Sequence, residues 1–321
     1  MTTGLVLGKF LPPHAGHVHL FEVAQAMCDQ LTIVVASISR EPIPGEQRVA
    51  WVRELAPRAR VVHHTAELPQ APSEHPLFWE LWRTSLVACL PFPPELVFAS
   101  DAYGGRLAAE LGARWIAVDP HRAAYPISGT AVRDDPMRNW RFLPRCVRAH
   151  YAHRVSIFGP ESTGKTTLAR TLSERLGTVA APEFARGYLE ARAGVLERAD
   201  MLAIAQGQAA VEDSCARDAD RVLVCDTDPL LTCVWAETLY GEAPAQLLAM
   251  ACARRYALTL LCDVDLPWVA DPVRYLPDDR GGFLARCESA LRGAGRRYVI
   301  VRGDGELRVA AALAAIEKEM P

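Results

Sequence analysis

The stretch that decides the fold is Val155-Ser156-Ile157-Phe158-Gly159-Pro160-Glu161-Ser162-Thr163-Gly164-Lys165-Thr166-Thr167. A short β-type run ends at Phe158. The G-x-x-x-x-G-K-[ST] pattern follows without a mismatch, and a helix-forming sequence begins at Lys165. Phosphate explains the spacing: glycines let backbone N–H groups turn inward around oxygens, and a helix N-terminus adds partial positive charge. Lys165 is placed to reach β- and γ-phosphates, and the Thr166 hydroxyl to ligate Mg²⁺. Gly159, Glu161, Ser162, Thr163, Gly164 and Thr167 complete the expected nucleotide cradle. A strand–loop–helix of this kind belongs to a doubly wound α/β sheet.

Carboxylates downstream narrow the chemistry to phosphoryl transfer. Arg221-Val-Leu-Val-Cys-Asp226-Thr227-Asp228 reads as a buried strand ending in two acids, with Asp226 as the direct or outer Mg²⁺ contact. Glu183 follows a short strand expected after the P-loop helix, where a carboxylate would face an acceptor hydroxyl. The general base is Glu183 or Asp228, and the sequence alone leaves both open. Further on, the turn-rich run from 271 to 282 carries Arg274 and Arg280, and reads either as a lid over the transferring phosphoryl or as an ordinary loop.

Upstream lies a second phosphate-type constellation. An apolar strand leads into Gly8-Lys9-Phe10-Leu11-Pro12-Pro13-His14-Ala15-Gly16-His17 and then an apolar-periodic helix. Ile127-Ser128-Gly129-Thr130-Ala131-Val132-Arg133 follows about 110 residues later. Together they describe one nucleotide site. His14, His17 and the helix start suit the α-phosphate region, and Gly16 permits close backbone approach. Ser128, Thr130 and Arg133 suit the β- and γ-phosphates, with arginine forking onto the oxygens. No protein nucleophile is needed for attack of a substrate phosphate on the α-phosphorus with loss of pyrophosphate.

Lysine usage agrees with these two motifs. Only Lys9, Lys165 and Lys318 are lysine among 35 basic residues, and two of the three fall inside the motifs. Apolar and charged residues make up 50% and 23% of the 321, the balance of a globular protein long enough for two domains. A net charge of −3 speaks against nucleic-acid binding through a basic face. No apolar run approaches roughly 18 residues and no secretory signal is visible, so a cytoplasmic protein without membrane insertion is expected. The nine cysteines lack C-x-x-C spacing and read as core residues.

Alternating Val/Ile/Leu runs and amphipathic stretches place strands at 4–8, 31–37, 60–63, 96–99 and 115–118 in the first half. In the second half they fall at 155–158, 221–225, 257–261 and 298–301. Helices are expected to begin near His17, Gln47, Trp79 and Arg106, then near Lys165, Ala199, Ala243, Gly282 and Leu307. The domain boundary is expected near residue 150, giving domains 1–150 and 151–321.

With these residues assembled, the chain resembles the NadR-type bifunctional nicotinamide-nucleotide adenylyltransferase and ribosylnicotinamide kinase proteins over nearly its whole length. The resemblance rests on both phosphate motifs, Gln47-Arg48…Trp51, Phe98-Ala99-Ser100…Tyr103-Gly104, Asp119-Pro120-His121-Arg122, Glu183-Phe184-Ala185-Arg186 and Asp226-Thr227-Asp228. It implies a Rossmann-like nucleotidyltransferase followed by a P-loop kinase, each a doubly wound parallel sheet. It implies conversion of ribosylnicotinamide to NMN and of NMN to NAD, with ATP as co-substrate and Mg²⁺ as cofactor. Arg48, Asp119, Arg122 and Arg186 become candidates for substrate contact. Trp79 and Trp82 either stack on a pyridinium ring or belong to the core. Longer family members begin with a helix-turn-helix; with the first strand entered by Gly4, no such domain and no DNA-binding role are expected here. A homo-oligomer and a functional link to a ribosylnicotinamide transporter are compatible with the resemblance. Two other readings stay open: a kinase–adenylyltransferase pair of the coenzyme A pathway type, and a nucleotide-sensing regulatory NTPase without net synthesis.

Overall fold

A computed structural model describes residues 1–270, 276 and 278–320. The chain divides into two compact units, Met1–Val147 and Arg148–Pro321. Each contains one five-stranded parallel sheet.

In the first unit the strands are β1 (Thr3–Gly8), β2 (Gln30–Ala36), β3 (Arg60–His64), β4 (Leu96–Ala99) and β5 (Arg114–Ala117), in the order β3-β2-β1-β4-β5. Parallel sheets are covered on both faces, so their strands are apolar almost throughout rather than on alternate residues. Neighbours on one strand therefore enter different cores. Val6, Ile33, Val35 and Phe98 pack with Phe21 and Val52, from the helices Ala15–Met27 and Gly45–Leu55. Leu5, Val34 and Val97 pack with Leu86 and Leu107, from the helices Phe78–Cys89 and Tyr103–Leu111. The strand order reverses between β1 and β4. At such a switch point the connections leave in opposite directions and open a crevice at the strands' carboxyl ends.

The second unit has β6 (His153–Phe158), β7 (Ala180–Ala181), β8 (Val222–Asp226), β9 (Leu258–Cys262) and β10 (Tyr298–Val301), in the order β10-β9-β6-β8-β7. Val155 and Ile157 pack with Leu168 and Ala312 from the helices Lys165–Leu176 and Gly305–Glu319. Phe158 and Leu261 pack with Met201, Leu230 and Phe283 on the other face. The central strand β6 delivers the P-loop at its carboxyl end. The turn out of β6 is tight: Gly159 has φ +132°, and a Cβ there would lie 2.9 Å from the Cys262 carbonyl oxygen. Only glycine combines that backbone angle with that closeness.

Two helices that the sequence pattern did not reveal are Phe184–Ala191 and Pro229–Tyr240. The second carries a start signal that is easily misread. Asp228 caps it and Pro229 occupies its first turn, where a missing N–H costs nothing. A further short helix, Arg145–Tyr151, occupies the stretch expected to be a break between domains. The other expected elements appear with ends shifted by a few residues, as hydrogen bonding rather than composition sets helix ends.

Replacing Gly159 by alanine is expected to cost about 1–3 kcal/mol of stability through backbone strain and the clash with Cys262. Calorimetry should show the loss in the transition of the second unit, with the transition of the first unit unmoved.

Candidate functional site

Each unit has a cavity at the carboxyl end of its central strand. The cavity of the first unit measures about 570 Å³, within the usual range for small-molecule sites. Gly8, Lys9, Phe10, His14, Gly16 and His17 line it from the β1 side, and Ser128, Thr130 and Arg133 from the later motif. The fold therefore joins two segments that lie more than 100 residues apart. Trp79, Trp82, Asp119 and Arg122 also line it.

The histidine pair is held by the helix it begins. His14 has extended backbone at the N-cap position, and its N–H donates to His17 Nδ1 at 3.3 Å. With Nδ1 accepting, the proton of a neutral His17 sits on Nε2. The two rings stack with centroids 3.8 Å apart, a distance at which two cations would repel strongly. Burial, then the Arg122 charge, lowers the His14 pKa to about 4. Burial followed by the neighbouring His14 and Arg122 charges lowers that of His17 well below 6.5. Near neutral pH the pair is uncharged and offers hydrogen-bond donors, not positive charges, to an anion. The buried His14 Nδ1 has no protein partner.

Around the pair, several side chains are engaged by the backbone. Ser128 Oγ accepts from the Ala131 N–H at 3.1 Å and caps the helix Gly129–Asp134. Arg133 donates to the Leu11 carbonyl and, at 3.1 Å, to Thr130 Oγ1, so it joins the two motif segments directly. The Asp119 carboxylate accepts N–H bonds from Ala123, Ala124 and Tyr125 and so shapes the loop in which Arg122 lies. Arg122 itself donates to Asp101 and to the Ile127 carbonyl.

The two tryptophans differ. Trp82 is 8% exposed, belongs to the core, and donates from Nε1 to the Pro69 carbonyl while it borders the cavity. Trp79 is half-buried, with the Arg106 guanidinium over its ring. Arg48 corrects the sequence expectation. It is fully buried, does not line the cavity, and donates to the Lys9 and Ala36 carbonyls and to Glu41. Glu41 also pairs with Lys9 Nζ at 3.0 Å. Arg48 therefore braces the lysine-bearing loop from below; a guanidinium with no exposed surface has no face for a substrate.

The cavity of the second unit, about 180 Å³, is lined by Glu161, Ser162, Thr163, Gly164, Lys165, Thr166 and Thr167 on the loop side. Glu183 and Arg186 also line it. Lys165 Nζ donates to the Pro160 carbonyl at 2.8 Å, as does the buried Thr163 hydroxyl. Arg308, 3% exposed, donates to the Thr163 carbonyl at 2.6 Å and pairs with Asp265, which pins the loop from the helix Gly305–Glu319. Arg280 does not line the cavity. Its guanidinium donates to the carbonyls of Leu266 at 2.9 Å and Ser162 at 3.4 Å, so it holds the loop's backbone instead of facing phosphate oxygens. Arg274 and half of the expected lid (271–275 and 277) lie outside the described residues.

The two candidate bases separate clearly. Glu183 sits at the N-cap of the helix Phe184–Ala191 and borders the cavity; burial raises its pKa, with Lys165 opposing the rise. Asp228 is fully buried, accepts from Ser156 Oγ at 2.7 Å and from the Leu230 N–H at 2.7 Å, and pairs with Arg296 at 2.8 Å. It does not border the cavity. Its lone pairs tie β6, a helix start and Arg296 together, so the reading of Asp228 as the base is replaced by a structural one. Between the acids, Thr227 has φ +75°, a strained value for a β-branched residue, and lines the cavity.

Asp226 is 2% exposed and both of its carboxylate oxygens lack a protein partner. Burial raises its pKa, while the nearby Thr166 hydroxyl and Lys165 oppose the rise. Two buried, unpaired carboxylate oxygens beside a hydroxyl form the hard-oxygen set that suits Mg²⁺, which uses one or two carboxylates plus substrate phosphates. No group of three or more His, Cys, Asp or Glu forms a metal cluster among the described residues. Nor is any described helix long and apolar enough to cross a membrane.

Comparison with known proteins agrees with this two-part construction. Residues 5–134 match the cytidylyltransferase-like family, and residues 154–308 an AAA domain family. The chain is 28% identical over 296 residues to the trifunctional NAD biosynthesis/regulator protein NadR of Escherichia coli (strain K12), covering 86% of this chain and 72% of that protein. It is 30% identical over 158 residues to a nicotinamide-nucleotide adenylyltransferase of Pyrobaculum neutrophilum, covering 46% of this chain and 85% of that one. Among solved structures, a NadR protein in complex with NAD and AMP-PNP has a TM-score of 0.76 at 22% identity, covering 99% of this chain and 96% of the other. A NadR protein in complex with NR gives 0.77 with the same identity and coverage. At that identity, the likeness concerns the fold.

The histidine pair makes a pH-dependent contribution. An unfolded histidine titrates near 6.5, whereas folded His14 titrates near 4. Between these values the unfolded chain binds more protons, so the first unit loses stability as pH falls from about 6.5 toward 4. NMR titration of the ligand-free protein should place the His14 midpoint near 4. Added pyrophosphate should raise it, because an anion favours the protonated ring.

Proposed function

The chain belongs to the NadR-type family of NAD-biosynthesis enzymes, and on that premise we propose that its two units carry out consecutive reactions. The second unit phosphorylates ribosylnicotinamide with ATP to give NMN. The first joins NMN to a second ATP to give NAD and pyrophosphate. The observation that carries this reading is that one chain holds two cavities of different construction, one lined by a P-loop and one by the stacked histidines.

In the kinase step, Glu183 accepts the proton of the ribose hydroxyl as its oxygen attacks the γ-phosphorus, the bond to the β,γ-bridging oxygen breaks and ADP leaves. A carboxylate whose pKa is raised by burial is a stronger base for that transfer. Lys165 and the loop N–H groups take the charge on the transferring phosphoryl, and Arg186 assists from the same wall. Asp226 and Thr166 would hold Mg²⁺, which when bound neutralises charge on the β- and γ-phosphates. Asp228 keeps the strand end and the next helix in place.

In the adenylyl step, an NMN phosphate oxygen attacks the α-phosphorus, the bond to the bridging oxygen breaks and pyrophosphate leaves. His17 Nε2–H, together with His14, donates to the α-phosphate oxygens. Ser128, Thr130, Arg133 and Lys9 hold the departing pyrophosphate. Arg122 and Asp119 shape the acceptor side, where Trp79 and Trp82 offer aromatic surface to the pyridinium ring. The work is alignment and charge stabilisation, without a covalent enzyme intermediate.

Incubation with ribosylnicotinamide, Mg²⁺ and ATP should yield mononucleotide first and dinucleotide afterwards; phosphorylation without later dinucleotide would sink the adenylylation half of the reading. Lys165→Ala should abolish the kinase step and spare adenylylation of supplied NMN. His17→Ala should do the reverse, slowing NAD formation about 100- to 1,000-fold, as expected for loss of one preorganised donor. Glu183→Gln should lower kinase kcat with the fold intact. Asp228→Asn should chiefly lower the unfolding temperature, because it leaves Arg296 buried without its charge partner.

A further inference from the structure

Gln208 is 2% exposed, borders the cavity of the second unit, and carries no motif signal. Its Oε1 accepts the Phe184 N–H at 2.9 Å, whereas its buried Nε2 has no partner. That bond fixes the amide: a flip would set Nε2 against another donor. The arrangement is built into the packing. Gly207 admits the Phe184 ring so closely that a Cβ there would fall 2.2 Å from it, which brings the Phe184 backbone onto the next residue, Gln208. A buried donor left unpaired costs free energy, so its retention beside a cavity marks a place where a ligand acceptor completes it.

The same cavity is lined by Met201, Ile204, Leu231 and Trp235, an apolar and aromatic setting suited to a flat ring. We propose that Gln208 selects the acceptor nucleoside of the kinase step by donating from Nε2 to a carbonyl oxygen carried on its aromatic base. The inference rests on the kinase reading of this unit and adds to it a specificity-determining residue. A ring without that carbonyl leaves Nε2 unpaired and binds weakly, which is how a polar site rejects an analogue lacking the matching group.

The test compares ribosylnicotinamide with ribosylpyridinium, the same nucleoside without its carboxamide, as phosphoryl acceptors. The unaltered protein should show a KM roughly 10- to 100-fold higher for ribosylpyridinium, as expected for one buried hydrogen bond. Gln208→Glu keeps an oxygen for the Phe184 N–H and removes the donor. It should raise the KM for ribosylnicotinamide, shrink the difference between the two acceptors to within about threefold, and leave the KM for ATP unchanged. Gln208→Met should reduce the discrimination in the same way. Equal KM values for the two acceptors in the unaltered protein would overturn the proposal without recourse to any variant. So would full discrimination retained in Gln208→Glu. If the unaltered protein phosphorylates neither acceptor while an ATP analogue still binds, the kinase reading itself fails, and this inference with it.

Discussion

A polyanion bound in a partly dry crevice must meet donors that are already in place, because rearranging polar groups at the moment of binding costs what the contacts would return. Both units meet this demand in the same way. A parallel strand buried on both faces ends at a switch point, and the chain turns there into a helix whose first N–H groups have no partners within the helix. β1 ends at Gly8 and leads to the helix Ala15–Met27; β6 ends at Phe158 and leads to the helix Lys165–Leu176. The rest of each unit holds that turn still.

The holding is done largely by buried or half-buried arginines and carboxylates that do not line the cavities. In the first unit Arg48 grips the Lys9 carbonyl and Glu41 from beneath. In the second, Arg308 and Arg280 take carbonyls of the P-loop region, while Asp228 joins Ser156 of β6 to Arg296. Arginine suits the task because its planar fork satisfies several carbonyls at once and remains charged when desolvated. Asp228 adjoins Asp226, Arg48 falls in Gln47-Arg48…Trp51 and Arg280 in the turn-rich run, which is why these three resemble ligand contacts when the chain is read in one dimension.

The two cavities answer different chemical needs. The histidine pair, kept neutral by burial and the nearby Arg122 charge, offers donors without fixed charge. That suits an α-phosphate flanked by groups that must arrive and depart. The P-loop site has Lys165 and, opposite in charge, Glu183 and the orphaned oxygens of Asp226. On the proposed reading, these opposed charges set a proton acceptor apart from a phosphate-holding cation.

The α/β class, the two phosphate motifs and most strands were legible in the sequence, because each depends on local facts: apolar runs, glycines in tight turns, and lysines retained where arginine serves elsewhere. The sequence also pointed to the two segments that face each other across the first cavity as one site, though not to the contact that joins them, since Arg133 reaches Leu11 only after the sheet forms. Tertiary structure alone separates the surroundings of Glu183 and Asp228: both follow strands and begin helices, and only packing sets the one on a cavity wall and buries the other as a helix cap. It alone revealed Gln208, an unremarkable position in the helix Asp200–Cys215 until Phe184 packs over Gly207 and claims one end of the amide. Spacing along the chain records what a backbone can do locally. Which polar atoms remain unsatisfied depends on everything that packs around them.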